Sequence, residues 1–530
     1  MGFTAFVRKS FKHRSFLYFG LVYSFNKKIL PPINYDSEGL NMTLLTLIKD
    51  NEDIHGQKGY IHSIRDKITA QPISDITDHQ GNQYIDLVLE GGVVWGLALI
   101  GYTYTLEQAG IRFLNLAGTS AGAINAIVLA ALGQSSDKKS EQLLAIFNKM
   151  DLKNFVDGGI LAQELASDIE QKDSPLFEMF PKLIGLLTLG KFSKNKLGIN
   201  TGQYFENWMD SIIYQHKVST TAKLFKKLEN KNLKIREIST RKYPALDQIR
   251  FENTFKTNKL AIIASDITTQ SKIIFPQMGY LYWNNPLDVH PKHYVRASIS
   301  IPLFFEPVRI NNIPENREEF WQVLTGFEGN LPEVAYLVDG GVISNFPIDV
   351  FHSRDSIPLC PTFGVKLDVS RKKASTVDSI ADYLTALVKT TIHTNDYTFL
   401  LNNDDYKQLI TYVDTSQKYV PNRKNNSNNI VKKIWGKIKP NESDTFGILD
   451  FNMSDEKKAA LFALGAKAAC DFICGNDVYA SSNKQKPYPP YTIPPFNWEE
   501  YKNLREQLIV ADTRAYQEKK QKIKKFSLLP

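Results

Sequence analysis

YIDLVLEGGVVWGLALIGYTYTLEQAGIRFLNLAGTSAGAINAIVLAAL, residues 84–132, decides the fold. Tyr84–Leu89 is an apolar-rich run of strand length, closed by Glu90-Gly91-Gly92. Residues 96–109 read as a helix, and Phe113–Ala117 as a second short strand. Ala121–Leu132 is a helix too short to span a bilayer and too uniformly apolar to face water. Strand, glycine turn, helix, strand, turn, helix in this compass is a βαβ unit, which requires a parallel sheet with helices covering it. The expected class is therefore α/β with a mainly parallel central sheet.

Two turns of this unit carry chemistry. Gly118-Thr119-Ser120-Ala121-Gly122 is G-x-S-x-G between a strand and an apolar helix, the setting of a nucleophile elbow. The glycines relieve crowding in a sharp turn. The serine hydroxyl then stands at a helix N-terminus, where free N–H groups and the helix dipole favour developing negative charge. The alternative is a small-residue turn that lets helix and strand pack closely. The second turn is Glu90-Gly91-Gly92-Val93-Val94-Trp95-Gly96. A dinucleotide fingerprint would need glycine at 93, and a Walker A loop would need a Gly-Lys-Ser/Thr ending; neither is present. What remains is a loop whose backbone N–H groups can face an anion. One helix and one strand separate Gly92 from Ser120, so both turns belong at one sheet edge, as an oxyanion hole beside a nucleophile requires. Two packing turns of a βαβ unit are the alternative.

A serine nucleophile needs a base. The nine histidines lie at positions 13, 55, 62, 79, 216, 290, 293, 352 and 393, none in a glycine-flanked strand-end setting. A carboxylate can take the proton instead. Asp157-Gly158-Gly159 lies in a helical region and reads as a helix-ending turn. Asp339-Gly340-Gly341 follows the apolar strand Tyr336–Val338, so Asp339 is the favoured base. Three cysteines, Cys360, Cys470 and Cys474, make neither a disulfide scaffold nor a four-ligand zinc pattern. No metal or cofactor is expected.

Further strands are expected at Leu260–Ser265, Lys272–Phe275 and Thr362–Leu367, and helices at 377–400, Ser454–Cys474 and about 498–525. Residues 415–445 are rich in Asn and Lys, and 476–498 in Pro and Tyr. Net charge is +8, unevenly placed. Residues 1–41 hold six bases (Arg8, Lys9, Lys12, Arg14, Lys27, Lys28) against Asp36 and Glu38. Residues 512–530 hold six (Arg514, Lys519, Lys520, Lys522, Lys524, Lys525) against Asp512 and Glu518. The body between is balanced, which excludes a domain-wide nucleic-acid face; no nucleic-acid partner is expected. Basic ends are either solvated tails or an attraction to an anionic membrane surface. Ser15–Phe25 has the character of a signal-peptide core but lacks a small-x-small cleavage site, and Met42 would serve equally as a start. The expected location is cytoplasmic or peripheral membrane, with export left open.

Taken together, Gly91–Gly96, Gly118–Gly122 and Asp339–Gly341 resemble, in order, the motifs of patatin-like phospholipases. LAIIASDITTQSKIIF (260–275) and VRASISIPLFFEPV (295–308) resemble further segments of the family, and FGILDFNMSDEKKAALFALGAKA (446–468) the C-terminal helix region of its longer bacterial-type members. The resemblance implies a three-layer α/β/α fold and a Ser-Asp dyad without histidine. It implies Ser120 as nucleophile, Asp339 as general base, and an oxyanion hole from the N–H groups of Gly91, Gly92 and Val93. Gly96, Gly118, Gly122, Gly340 and Gly341 support these motifs. The family's loop usually reads G-G-G-x-[RK]-G; here Val93 stands for the third glycine and Trp95 for the basic residue. A β-branched residue at positive φ would be strained there. The implied activity is lipid acyl hydrolysis, of the phospholipase A or acylglycerol esterase kind, on a membrane lipid or acyl ester. Two alternatives stand: a catalytically weak lipid-binding or scaffold protein of the same fold, and a Ser-His-Asp hydrolase using His352 or His393. The chain divides into a basic and aromatic lead-in (1–83), a catalytic domain (84–375), a helical extension with its Asn/Lys loop (376–475), and a Pro/Tyr-rich linker with a basic terminal helix (476–530).

Overall fold

The computed structural model describes residues 59–150, 152–159, 196–229, 232–237, 247–249, 251–252, 259–353, 356–367, 374, 377–415, 453, 455–475 and 494–511. Both basic ends, Ser15–Phe25, Ser454, and nearly all of the Asn/Lys and Pro/Tyr stretches lie outside these residues.

Strands in chain order are β1 (Ile76–Thr77), β2 (Gln83–Leu89), β3 (Ile111–Thr119), β4 (Gly198–Asn200), β5 (Lys234–Ile235), β6 (Leu260–Asp266), β7 (Ser271–Phe275), β8 (Leu303–Phe305), β9 (Val308–Asn311), β10 (Val334–Asp339), β11 (Thr362–Lys366) and β12 (Ile410–Tyr412). The helices that matter for the site are α1 (Tyr60–Ala70), α2 (Gly96–Gln108), α3 (Ala121–Leu132), α4 (Ser140–Asn148), α5 (Gln203–Gln215), α6 (Thr221–Leu228), α7 (Lys292–Ser298), α8 (Glu318–Thr325), α9 (Ile380–Asn402), α10 (Asp404–Lys407) and α11 (Asp455–Cys474).

The central sheet runs β12-β11-β2-β3-β6-β10-β9. Its first five strands are parallel, as the buried apolar runs and helical crossovers dictate. β10 then runs antiparallel between β6 and β9, and β7 folds back on β6 as a hairpin. Helices flank this mixed, mainly parallel sheet in a three-layer α/β/α arrangement. α3 is buried from Ala121 to Ala131, as its apolar sequence demands. Its one polar side chain, Asn125, is satisfied in part by donating Nδ2 to the Ala121 carbonyl at 2.9 Å.

The C-terminal elements build on the same core. α11 crosses α2 so closely that a β-carbon at Gly101 would overlap the Phe462 carbonyl, and one at Gly465 the Ala98 carbonyl. β12, inside the stretch read from sequence as a helical extension, is a strand of the main sheet beside β11. Trp498, in the helix over 498–511, donates Nε1 to Asp75 at 3.0 Å, and Arg505 pairs with Asp405 at 3.1 Å. No helix among the described residues is long and apolar enough to cross a membrane.

Candidate active site

β3 ends at Thr119, and the chain turns into α3 through Ser120 at φ 51° and ψ −118°. A non-glycine residue in such a conformation costs roughly 1–3 kcal/mol and persists only where its surroundings hold it. Here the Ser120 N–H donates to Ser298 Oγ at 3.0 Å, and the Ser120 carbonyl accepts from Ile124 N–H at 3.0 Å. The flanking glycines have a packing reason: a β-carbon at Gly118 would overlap the backbone of Gly122, and one at Gly122 the Leu89 carbonyl.

Sheet register brings Asp339 to the serine. Thr119 pairs with Ile263 of β6, and Asp339 of β10 pairs with Ala264, the next residue. Ser120 and Asp339 thus flank one strand at the same level, their backbones about 10 Å apart across the sheet at ordinary strand spacing. Two side chains can close that gap. The Asp339 N–H donates to the Ser300 carbonyl at 2.9 Å, and Asp339 Oδ1 accepts from Gly341 N–H at 2.7 Å. Oδ2 is buried and has no hydrogen-bond partner of ordinary geometry among the described residues. Burial pushes the Asp339 carboxyl up to about 7, against the opposing pull of the Gly341 N–H and the Ser120 hydroxyl. The hydroxyl therefore approaches the carboxyl without closing an ordinary hydrogen bond, a looseness common before substrate binds. Among the described residues no histidine hydrogen-bonds Asp339.

The glycine loop lies against the elbow: a β-carbon at Gly91 would stand 3.1 Å from Ser120 Cβ. The Gly91 N–H departs from its expected role. It donates to the Asn345 carbonyl at 3.1 Å, and Asn345 Nδ2 donates back to the Gly91 carbonyl at 3.2 Å. The N–H groups of Gly92 and Val93 donate to no described residue outside their own 3-10 turn. Gly92 is extended at φ −176°, whereas Val93 takes φ 45°, the strained one of the two conformations open to a valine at this position. Trp95 packs half-buried against the core, so this position carries no cation. Gly96 starts α2, where a β-carbon would sit 3.3 Å from Ala121 Cβ. Gly340 and Gly341 form the 3-10 turn after Asp339.

The other candidates go elsewhere. Asp157 accepts from Thr201 Oγ1 at 2.7 Å and from the N–H groups of Gly202 and Tyr204, at the start of α5. His290 and His293 pair with Asp210 and Glu206 across α5 and α7. The His352 ring lies edge-on to Phe399 and Tyr406. The side chain of His393 lies outside the described residues. Among the described residues no three His, Cys, Asp or Glu side chains are grouped to hold a metal. Sequence reasoning gave no role to Ser298, Ser300 or Asn345. The first two stood inside a stretch singled out for its resemblance, and Asn345 followed Asp339-Gly340-Gly341 closely, but only the fold reveals their partners.

The patatin-like phospholipase family model matches residues 87–352, half of the chain, and spans all three motifs. The uncharacterized protein YqhO of Bacillus subtilis (strain 168) is 28% identical over 277 residues, covering 52% of this chain and 69% of that protein. Among solved structures, VipD from Legionella pneumophila aligns over 76% of this chain and 70% of that one, at 14% identity and a TM-score of 0.32. On the family match across half its length, this chain belongs to the patatin-like phospholipases, a family of lipid acyl hydrolases.

Proposed function

We propose that this protein hydrolyses acyl esters of lipids through a Ser120–Asp339 dyad. Substrate binds with its ester carbonyl over Ser120. Ser120 Oγ attacks the carbonyl carbon while its proton passes to Asp339 Oδ2, the carboxylate oxygen without an ordinary hydrogen-bond partner among the described residues. The oxyanion is received by the N–H groups of Gly92 and Val93, with the N-terminus of α3 adding its dipole. Each such donor contributes roughly 3–4 kcal/mol to the transition state. The tetrahedral intermediate collapses as Asp339 returns the proton to the departing alcohol or lysolipid, leaving an acyl-serine. Water then attacks the acyl carbon while Asp339 takes a proton from it, and as the bond to Ser120 Oγ breaks Asp339 returns that proton to Oγ, releasing the fatty acid and the free serine.

The observation that carries this reading is the juxtaposition itself. A strained serine at a helix N-terminus, a buried carboxyl on the next strand but one, and a loop with unengaged N–H groups meet at one sheet edge. The test is hydrolysis of a fluorogenic phospholipid and a short-chain ester by the wild type, Ser120→Ala and Asp339→Asn. Both variants should lose about 10³-fold or more in kcat. Undiminished turnover in either overturns the dyad. His352→Ala should leave kcat within about threefold, whereas a histidine triad would require a loss of the size seen for Ser120→Ala.

A further inference from the structure

The oxyanion loop holds a conformation that its sequence resists. Val93 at φ 45° is β-branched in the left-handed region, a strain of roughly 1–3 kcal/mol that a free loop would relax. Its entry is fixed at two points. Glu90 forms a buried ion pair with Lys366 at 2.5 Å and accepts from the Leu367 N–H at 2.6 Å. Gly91 then exchanges two hydrogen bonds with Asn345, one through the backbone and one through the side-chain amide. Beyond Gly92 the turn closes on itself through Trp95 N–H to the Gly92 carbonyl and Gly96 N–H to the carbonyls of Val93 and Val94. Among the described residues Asn345 is thus the last hydrogen-bonding grip from outside the turn before the strained residue.

Asn345 is itself braced. Asp396, buried on α9, accepts from Ser344 Oγ at 2.9 Å and from the Phe346 N–H at 2.8 Å, the two neighbours of Asn345. The Ser344 carbonyl accepts from Thr119 Oγ1 at 2.9 Å, in the elbow. One tripeptide, Ser344-Asn345-Phe346, therefore touches the elbow and the oxyanion loop while continuing the turn that begins at Asp339. We propose that Asn345 is the positioning residue of the oxyanion loop: through Gly91 it holds Val93 in its left-handed conformation, so that the Gly92 and Val93 N–H groups face the carbonyl carried to Ser120. This rests on the dyad reading for its catalytic consequence, and on the geometry alone for its conformational one.

The experiment is a double-mutant cycle of Asn345→Ala and Val93→Gly, read by steady-state hydrolysis of a soluble fluorogenic ester. Hydrogen–deuterium exchange of the peptide over 90–97 is measured in parallel. A misplaced donor loses its transition-state contact while leaving ground-state binding largely intact. Asn345→Ala should lower kcat by about tenfold or more with KM within about twofold. Glycine tolerates positive φ, so in the Val93→Gly background the same substitution should cost less than about threefold. Exchange over 90–97 should quicken about tenfold in Asn345→Ala and return toward the Val93→Gly level in the double variant. A general packing role predicts equal losses in both backgrounds, and that result overturns the proposal, as does an Asn345→Ala enzyme with unchanged kcat and exchange. If Asn345→Ala does not fold, Asn345→Asp keeps the shape while setting an acceptor against the Gly91 carbonyl, and the same criteria apply. A wild type without Ser120-dependent turnover would sink the dyad reading, and the exchange result would still decide the clamp.

Discussion

Asp339 is the residue on which acid–base behaviour turns. Buried beside the serine, it holds its proton up to about pH 7, whereas an unfolded carboxyl loses it near 3.8. A general base must be ionised, so kcat/KM should rise with pH through about 7 and level off above it; a pH–rate profile checks this. The stability consequence has the opposite sense. Between 3.8 and about 7 the folded chain binds the proton and the unfolded chain does not, so stability falls as pH rises and the loss is complete above about 7. Asp339→Asn removes that cost. It should raise Tm at pH 8 and do so less at pH 5, the difference being on the order of 2–3 kcal/mol at 1.36 kcal/mol per pKa unit. Thermal unfolding at the two pH values measures it, and equal shifts at both would contradict the burial argument. At this scale Ser120 and Asp339 were legible because glycine turns mark them in the sequence. Ser298 and Asn345 were not, because their hydrogen bonds join residues 178 and 254 positions apart and exist only once the sheet register is set.

Among the elements, the parallel strands were readable as apolar runs alternating with helical patterns. Leu260–Ser265, Lys272–Phe275, Tyr336–Val338 and Thr362–Leu367 all became strands, displaced by a residue or two at their ends. β12 escaped notice because three residues carry no periodicity. The antiparallel run of β10 was equally hidden, yet it is what sets Asp339 opposite Ala264. α11 joins the core through α2, which begins at Gly96 directly after the proposed oxyanion loop. Replacing Gly465 by valine would press a side chain into the Ala98 carbonyl and force the two helices apart. Overpacking of this kind costs about 1–3 kcal/mol, more where backbone must move. Gly465→Val should therefore lower the denaturant midpoint and also reduce kcat, since α2 carries the loop. Chemical denaturation alongside ester hydrolysis would show both effects; a variant with wild-type stability would contradict the close crossing.

For the molecule as a whole, charge and length take on a sharper meaning. The +8 resides in residues 1–41 and 512–530, while the balanced body contains the central sheet. If the ends attract an anionic bilayer at about 1 kcal/mol per basic residue near the surface, removing both stretches should weaken binding to phosphatidylserine vesicles by tenfold or more. Hydrolysis of a soluble ester should be unchanged. Vesicle sedimentation across a salt series measures this, and undiminished binding would mark the ends as solvated tails. Among the described residues the segments read as catalytic domain, helical extension and linker share one packed body: β12 extends the sheet, α11 packs on α2, and Trp498 and Arg505 reach Asp75 and Asp405. Composition could not show this, because packing partners so distant in sequence leave no local mark. The proposed chemistry requires Ser120 to be a reactive nucleophile in this fold. The most direct test is labelling with a fluorophosphonate probe followed by peptide mapping. Modification should fall on the peptide containing Ser120, vanish in Ser120→Ala and slow by about tenfold or more in Asp339→Asn; an unlabelled wild type, or a label on another serine, would contradict it.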